Sequence, residues 1–281
     1  MNANKPVVLL ITPVLPFPTG SGRALRSWDW LRTLSKDYRV HVLALEGSEE
    51  KWPIPTDYPA ERVWLTANGK PSGSTFRRAV GVLLPFLTPW FHNLMMDWLD
   101  LPDSDVTLSE LQECLAGESV CRIVVFRLYM HNLGLAARSR FPEALMHLDL
   151  DDHESRTRFS VAAAFVRMKR YRRAAAEFAA AIQYRFIERY MPGPYQVAYL
   201  AAEGDCHSLT TRLASSLAYR PNRVDVPKNF PRASSADVLT LLFVGELSYA
   251  PNEEAVQFIV TNLVPELETT LTKPWTICVV G

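Results

Sequence analysis

Short apolar runs recur along this 281-residue chain: VVLLIT at 7–12, RVHVLALE at 39–46, CRIVVF at 121–126, ALMHLD at 144–149 and QVAYLA at 196–201. Segments of helical spacing separate them. Strands apolar on both faces belong in a sheet covered on both faces, and intervening helices supply the cover and the crossovers. The fold class predicted is therefore α/β, a doubly wound parallel sheet, with a further short strand at Glu61–Leu65. Helices are expected at about 23–36, where Leu25, Trp28, Leu31 and Leu34 share a face, and at 74–99, 105–117 and 131–140. One long helix is expected over 154–190 and a short one from Asp205 to Ser216.

The stretch 221–237, PNRVDVPKNFPRASSAD, reads as a linker because its three prolines and paired serines suit neither helix nor strand. Beyond it, VLTLLFVG (238–245), a helix over 252–271 kinked at Pro265, and TICVVG (276–281) make one βαβ unit. The domains expected are 1–220, the linker 221–237, and 238–281 as the start of a second domain, since one such unit cannot cover its own sheet.

Lys plus Arg and Asp plus Glu are 30 each, so charge gives no case for whole-chain binding to nucleic acid. Cys114, Cys121, Cys206 and Cys278 are scattered, without zinc-ligand spacing or a disulfide framework, which fits a reducing, cytoplasmic compartment. The N-terminal apolar run is too short for a signal peptide and reads as a buried strand. Ala79–Met96 holds eighteen residues without a formal charge, but Pro85, Pro89, His92 and Asn93 interrupt it. That suits a core or a membrane surface, touched through Trp90 and Phe91, better than a spanning helix.

Four motifs carry chemistry. The loop PFPTGSGR (16–23) joins the first strand to the first helix, at the sheet edge where ligands bind. Gly20, Ser21 and Gly22 would let backbone approach a phosphate or sugar, and Arg23 opens a helix whose free N–H groups favour anions; the plain alternative is a proline-rich turn. DLDDHES (149–155) follows a strand. Its D-x-D could hold a divalent cation, or Asp152 could cap the next helix and Glu154 complement its dipole. His131 also follows a strand and could serve as acid or base, or sit in the core. His153, beside the acidic cluster, gives no reason to be preferred. Finally, residues 156–190 carry nine bases and two acids, with an apolar stripe of Met168, Tyr171, Ala175, Phe178, Ile182 and Phe186. This is either a core helix with a solvated face or, through Arg170, Arg172 and Arg173, a contact with anionic lipid at the inner face of a membrane.

LLFVGELSYAPNEEAVQFIVTNLVPEL (241–267) resembles the opening of the second domain of family 4 glycosyltransferases. ITPVLPFPTGSGRALRSWDWLRTLSKDYRVHVLAL (11–45) is similar to their N-terminal acceptor loop and first βαβ unit. DLDDHES looks like a stretch of the exopolysaccharide-type members, and AYRPNRVDV (218–226) resembles the P-N-G-V-D hinge with Arg223 for glycine. The resemblance implies a GT-B-like pair of Rossmann-like domains. It implies retaining transfer of a sugar from a nucleotide-diphospho-sugar co-substrate to a polysaccharide or lipid-linked acceptor, without metal or other cofactor. It would place Gly20, Ser21, Gly22 and Arg23 against the donor, Gly245 on the nucleotide side, and Asp151, Asp152 and Glu154 on the acceptor side. The family's donor-side glutamate pair falls beyond Gly281, so the resemblance implies a truncated chain with little transfer activity of its own. The competing readings are a non-catalytic partner module that self-associates through its incomplete second domain, and a nucleotide-sugar epimerase.

Overall fold

A computed structural model describes residues 5–45, 54–66, 104–223 and 238–281. The expected helix at 74–99, the linker beyond Arg223, and Trp90 and Phe91 lie outside the described residues. The chain divides into two units, Met1–Ser155 with Ile182–Arg223, and Arg156–Ala181 with Val224–Gly281. Residues 156–181, which the sequence reading assigns to the first domain, thus group with the C-terminal segment.

The first unit is a seven-stranded parallel sheet. Its strands are β1 (Val7–Thr12), β2 (Arg39–Leu45), β3 (Arg62–Thr66), β4 (Val120–Phe126), β5 (Leu145–Asp151), β6 (Tyr195–Leu200) and β7 (Ala214–Tyr219). They are ordered β3-β2-β1-β4-β5-β6-β7. β1 shows why both faces must be covered. Val7, Leu9 and Ile11 pack in one core with Leu111, Leu133 and Tyr184, whereas Val8 and Leu10 pack in another with Trp30, Leu31 and Leu34. The second core lies under α1 (Gly22–Leu34). The first takes side chains from α2 (Ser104–Cys114), α3 (His131–Arg140) and the later part of α5 (Tyr171–Tyr190).

The strand order reverses between β1 and β4. The chain leaves β1 towards β2 and β3, then returns to pair β4 on β1's other side. At such a switch point the loops at the carboxyl ends diverge and leave room for a ligand. That edge carries the β1–α1 loop, the end of β4 and the end of β5.

Two elements differ from the expectation. The single helix over 154–190 is a pair, α4 (Glu154–Arg167) and α5, broken where Lys169 adopts φ 59°. Nothing in its composition marks the break, since neither Gly nor Pro is present. The helix expected to reach Ser216 is instead α6 (Glu203–Ser208) followed by the edge strand β7. Its sequence, ASSLAY, keeps Ser215 and Ser216 exposed and lacks the continuous apolar run that marks the inner strands.

The second unit contains β8 (Leu239–Val244) paired in parallel with β9 (Trp275–Val280). Between them run α7 (Ala250–Phe258), a π turn (Ile259–Leu263) and α8 (Val264–Thr270). The π turn lies just before Pro265. Proline has no N–H and its ring collides with the carbonyl four residues back, so a widened turn accommodates it. Val161, Ala164 and Ala250, backed by Phe165 and Met168, form this unit's small core.

Leu31 has no exposed surface, whereas Leu25 on the same helix is 38% exposed. Leu31→Ala should therefore lower the unfolding free energy by about 2–5 kcal/mol, and Leu25→Ala by about 1 kcal/mol or less, in urea titrations.

Candidate functional site

The carboxyl edge of the large sheet is organised by buried charge. Asp149, near the end of β5, is fully buried and accepts four hydrogen bonds. Arg26 of α1 donates two, Nε to Oδ2 and Nη2 to Oδ1, both 2.8 Å. The Trp30 indole N–H adds 2.5 Å to Oδ2, and the backbone N–H of Asp151 adds 2.9 Å to Oδ1. A carboxylate offers about four lone-pair sites, so Asp149 is saturated and has none left for a cation. Arg26 is only 4% exposed and spends its remaining nitrogen on the Arg220 carbonyl (3.0 Å) and Asn222 Oδ1 (2.8 Å). The segment leaving β7 is thereby fastened to α1. Arg220 returns the contact. Its Nη2 is 2.5 Å from Asp29 Oδ2, and its guanidinium lies 3.8 Å from the centre of the Trp30 ring, a cation–π stack.

Next to this core stands a strained pair. Arg127 directly follows β4 with φ 75° and ψ 138°, and Asp151 ends β5 with φ 64°. Side chains other than glycine rarely occupy φ > 0, and each such position costs of order 1–3 kcal/mol. Asp151 tolerates it best, because short polar side chains enter the left-handed region. The ladder to β6 shifts register between Asp149 and Asp151, and this bulge re-aims the Asp151 side chain. Arg127 Nη2 then lies 2.7 Å from Asp151 Oδ2. Its Nη1 lies 3.5 Å from Asp152 and 3.4 Å from Glu154. The Arg127 backbone N–H donates to the Asp149 carbonyl at 2.7 Å, locking the two strand ends together.

Burial pushes the Asp151 carboxyl up to about 6, and the nearby Asp152 and Asp149 push the same way. The guanidinium groups of Arg127 and Arg26 pull it back only partly. Burial, helped by Arg122, pushes the His147 imidazole down to about 4, so it is neutral at pH 7. His147 Nδ1 lies 3.0 Å from the Tyr199 hydroxyl, and Tyr199 meets Trp30 edge-on.

The predicted site residues distribute as follows. Asp151, Asp152 and Glu154 come together around Arg127, and Glu154 occupies the first turn of α4. Gly20 takes φ 96°, which a side chain would strain, while at Gly22 a Cβ would meet nothing. Ser21 caps α1 through its hydroxyl to the Ala24 N–H. Arg23 stands one turn before Arg26, on the same side of α1. His131 is 1% exposed, with Nδ1 2.7 Å from the Tyr195 hydroxyl, so that nitrogen faces the core. Gly245 directly follows β8, where a Cβ would collide with the Asn252 amide at 2.7 Å. Arg170 is paired with Glu253 through two hydrogen bonds of 2.5 Å. Arg172 and Arg173 are exposed. Sequence reasoning missed Arg26, Trp30, Arg127 and Arg220. Arg127 directly follows CRIVVF, so its position after an inner strand was the available signal; the other three carry none. Among the described residues no group of three metal-ligating side chains converges, and no helix is long and apolar enough to cross a membrane.

Along 99% of its length the chain is similar to a sucrose-phosphate synthase from Thermosynechococcus elongatus, spanning 71% of it at 9% identity and a TM-score of 0.51. It also matches the OtsA trehalose-6-phosphate synthase (99% of this chain, 66% of that one, 11% identity, TM-score 0.44). A third match is the N-terminal domain of a Candida albicans trehalose-6-phosphate phosphatase, at 12% identity and a TM-score of 0.34, with 72% of this chain and 41% of that one covered. The chain thus spans less than two thirds of the last two structures. No protein-family model and no curated protein matches it. The likeness to the sucrose-phosphate synthase is one of fold, an α/β architecture built on Rossmann-like parallel sheets.

Asp151 supplies a pH test. A carboxyl whose folded value is raised from 3.8 to about 6 binds its proton more tightly in the folded state. Its contribution is therefore favourable below about pH 4 and is lost as pH rises through 6. Relative to Asp151→Asn, the wild-type protein should lose up to about 3 kcal/mol of stability between pH 4 and pH 6.5, measured by chemical denaturation. A difference that grows in favour of wild type over that range would contradict the assignment.

Proposed function

We propose that the protein is a glycosyltransferase of GT-B architecture that uses a nucleotide-diphospho-sugar as donor. The observation that carries this reading is the sheet order β3-β2-β1-β4-β5-β6-β7, followed by a separate parallel βαβ unit. A sucrose-phosphate synthase shares the fold along nearly the whole chain. Membership of family 4, exopolysaccharide type, rests on the motif likeness at 11–45, 149–155, 218–226 and 241–267.

On this reading the carboxyl edge of the large sheet receives the acceptor, a growing polysaccharide or lipid-linked sugar. Asp152, half exposed beside Arg127, accepts hydrogen bonds from its hydroxyls, while Glu154, buried against Arg127, braces the loop. Asp151, protonated in a fraction of molecules near neutral pH, can donate as well as accept. Arg23, at the opening of α1, offers a cation where the free N–H groups already favour the negative charge of a leaving diphosphate. Gly245 lies just past β8 on the nucleotide side, where its lack of a side chain lets the Asn252 amide pack against the backbone. Transfer proceeds with retention at the anomeric carbon and without a metal; of the arginines at this edge Arg23 is the one offered to the diphosphate, since Arg26 is committed to Asp149 and Arg127 to the carboxylates around it.

A second reading, a module that self-associates, is favoured by one observation. Leu242 and Val244 of β8 and Phe258 of α7 are 65%, 67% and 59% exposed.

The test is binding of UDP-, GDP-, ADP- and dTDP-sugars and of oligosaccharide fragments, read by ligand-observed NMR. Arg23→Gln should weaken the nucleotide-sugar about tenfold, and Asp152→Asn the saccharide by several-fold, with the thermal midpoint unchanged. Protein that binds neither class of ligand would refute the proposal, and a dimer whose ligand binding is absent would favour the second reading.

A further inference from the structure

The tip of the α4–α5 hairpin combines features that neither core packing nor helix energetics explains. Of the two readings of the apolar stripe, core or lipid contact, its part at Tyr171, Ala175 and Phe178 faces solvent, with Tyr171 64% and Phe178 52% exposed and Phe178 touching Phe159 edge-on. Across the turn Val166 is 51% exposed. The side of α5 that packs inward carries Ala174, Ala181 and Tyr184 instead.

The charges at the tip fall into two sets. Arg167 and Arg170 are neutralised within the unit by Glu254 and Glu253. Lys169, Arg172 and Arg173 make no ion pair among the described residues, and the Arg173 guanidinium lies 5.8 Å from the Phe165 ring centre. Arg172 and Arg173 occupy the first turn of α5, which has no acid, so they stand at the positive end of the helix dipole, where cations are disfavoured. Lys169 holds the left-handed backbone conformation that forms the turn. Three unneutralised cations and three exposed apolar side chains therefore lie within Val166–Phe178, around one turn, at the expense of local stability.

We infer that the hairpin tip, Val166–Phe178, docks on the anionic headgroup surface of a lipid bilayer. Lys169, Arg172 and Arg173 meet the phosphates, and Tyr171, Val166 and Phe178 enter the interfacial layer. An apolar face flanked by bases is the arrangement that lies in this layer, and the two contributions together give stable attachment where either alone does not. A soluble polyanion would use the bases and leave Val166 and Phe178 in water. The inference stands apart from the sugar-transfer reading, since it concerns a different surface and is read without turnover.

The experiment is flotation of the whole protein with vesicles of phosphatidylcholine alone and of phosphatidylcholine mixed with phosphatidylglycerol. Binding is expected to the mixed vesicles only, and to weaken as added salt screens the charges. The double variant Arg172→Glu/Arg173→Glu should reduce partitioning about tenfold or more. Tyr171→Ser/Phe178→Ser should reduce it by several-fold on the same vesicles. Arg172, Arg173 and Tyr171 are exposed and Phe178 gives up only its edge contact with Phe159, so the thermal midpoint should be unchanged in the charge variant and fall by a few degrees at most in the apolar one, which establishes that both are folded. No binding to mixed vesicles, binding that the two double variants leave intact, or binding lost to the charge variant but not to the apolar one would each overturn the inference; the last would mark a polyanion site.

Discussion

The buried pair of Arg26 and Asp149 carries the organisation of the large sheet's carboxyl edge. The two residues are 123 positions apart, and their meeting fixes α1 to the end of β5. Burying two charges costs more than their attraction returns unless the remaining hydrogen-bonding positions are filled. Here they are filled, because Trp30 and the Asp151 N–H complete the carboxylate while Arg220 and Asn222 complete the guanidinium. Four segments of the unit are thus tied at one point: α1, β5 with its bulge before Asp151, the exit from β7 and, through the Asp149 carbonyl, Arg127 after β4.

That tie explains why strained backbone persists beside it. Arg127 and Asp151 hold conformations that an isolated chain would leave, and they keep them because the neighbouring groups over-determine their positions. The consequence is chemical. A set of carboxylates around one arginine, one of them raised towards neutral pH, is held rigidly at a switch point where a sheet of this order opens to ligands. On the proposed reading, such rigid positioning would serve to hold a reacting hydroxyl against the donor.

The inner strands were legible in the sequence because burial on both faces demands continuous apolar runs, and VVLLIT and CRIVVF satisfy that demand plainly. β7 was not, because an edge strand with exposed Ser215 and Ser216 meets only half of it. The break at Lys169 was hidden for a different reason. Its left-handed residue is a lysine, and the packing of α7 against α4, through Ala250 and the Glu253 and Glu254 pairs, selects a turn that local propensity does not signal. Of the site, the acidic residues after β5 could be read from their position, while their arginine partners could not. Arg26, Arg127 and Arg220 are three among 23 arginines, and only tertiary contact distinguishes them from the solvated ones.

Arg26 and Asp149 act as one unit. A double-mutant cycle with Arg26→Met, Asp149→Leu and the combined variant, followed by urea unfolding, measures this directly. Each single change should cost about 3–5 kcal/mol by stranding a buried charge, and the double should cost clearly less than the two combined, a coupling of about 2 kcal/mol or more. Additive losses would contradict the claim and leave the edge without its organising interaction.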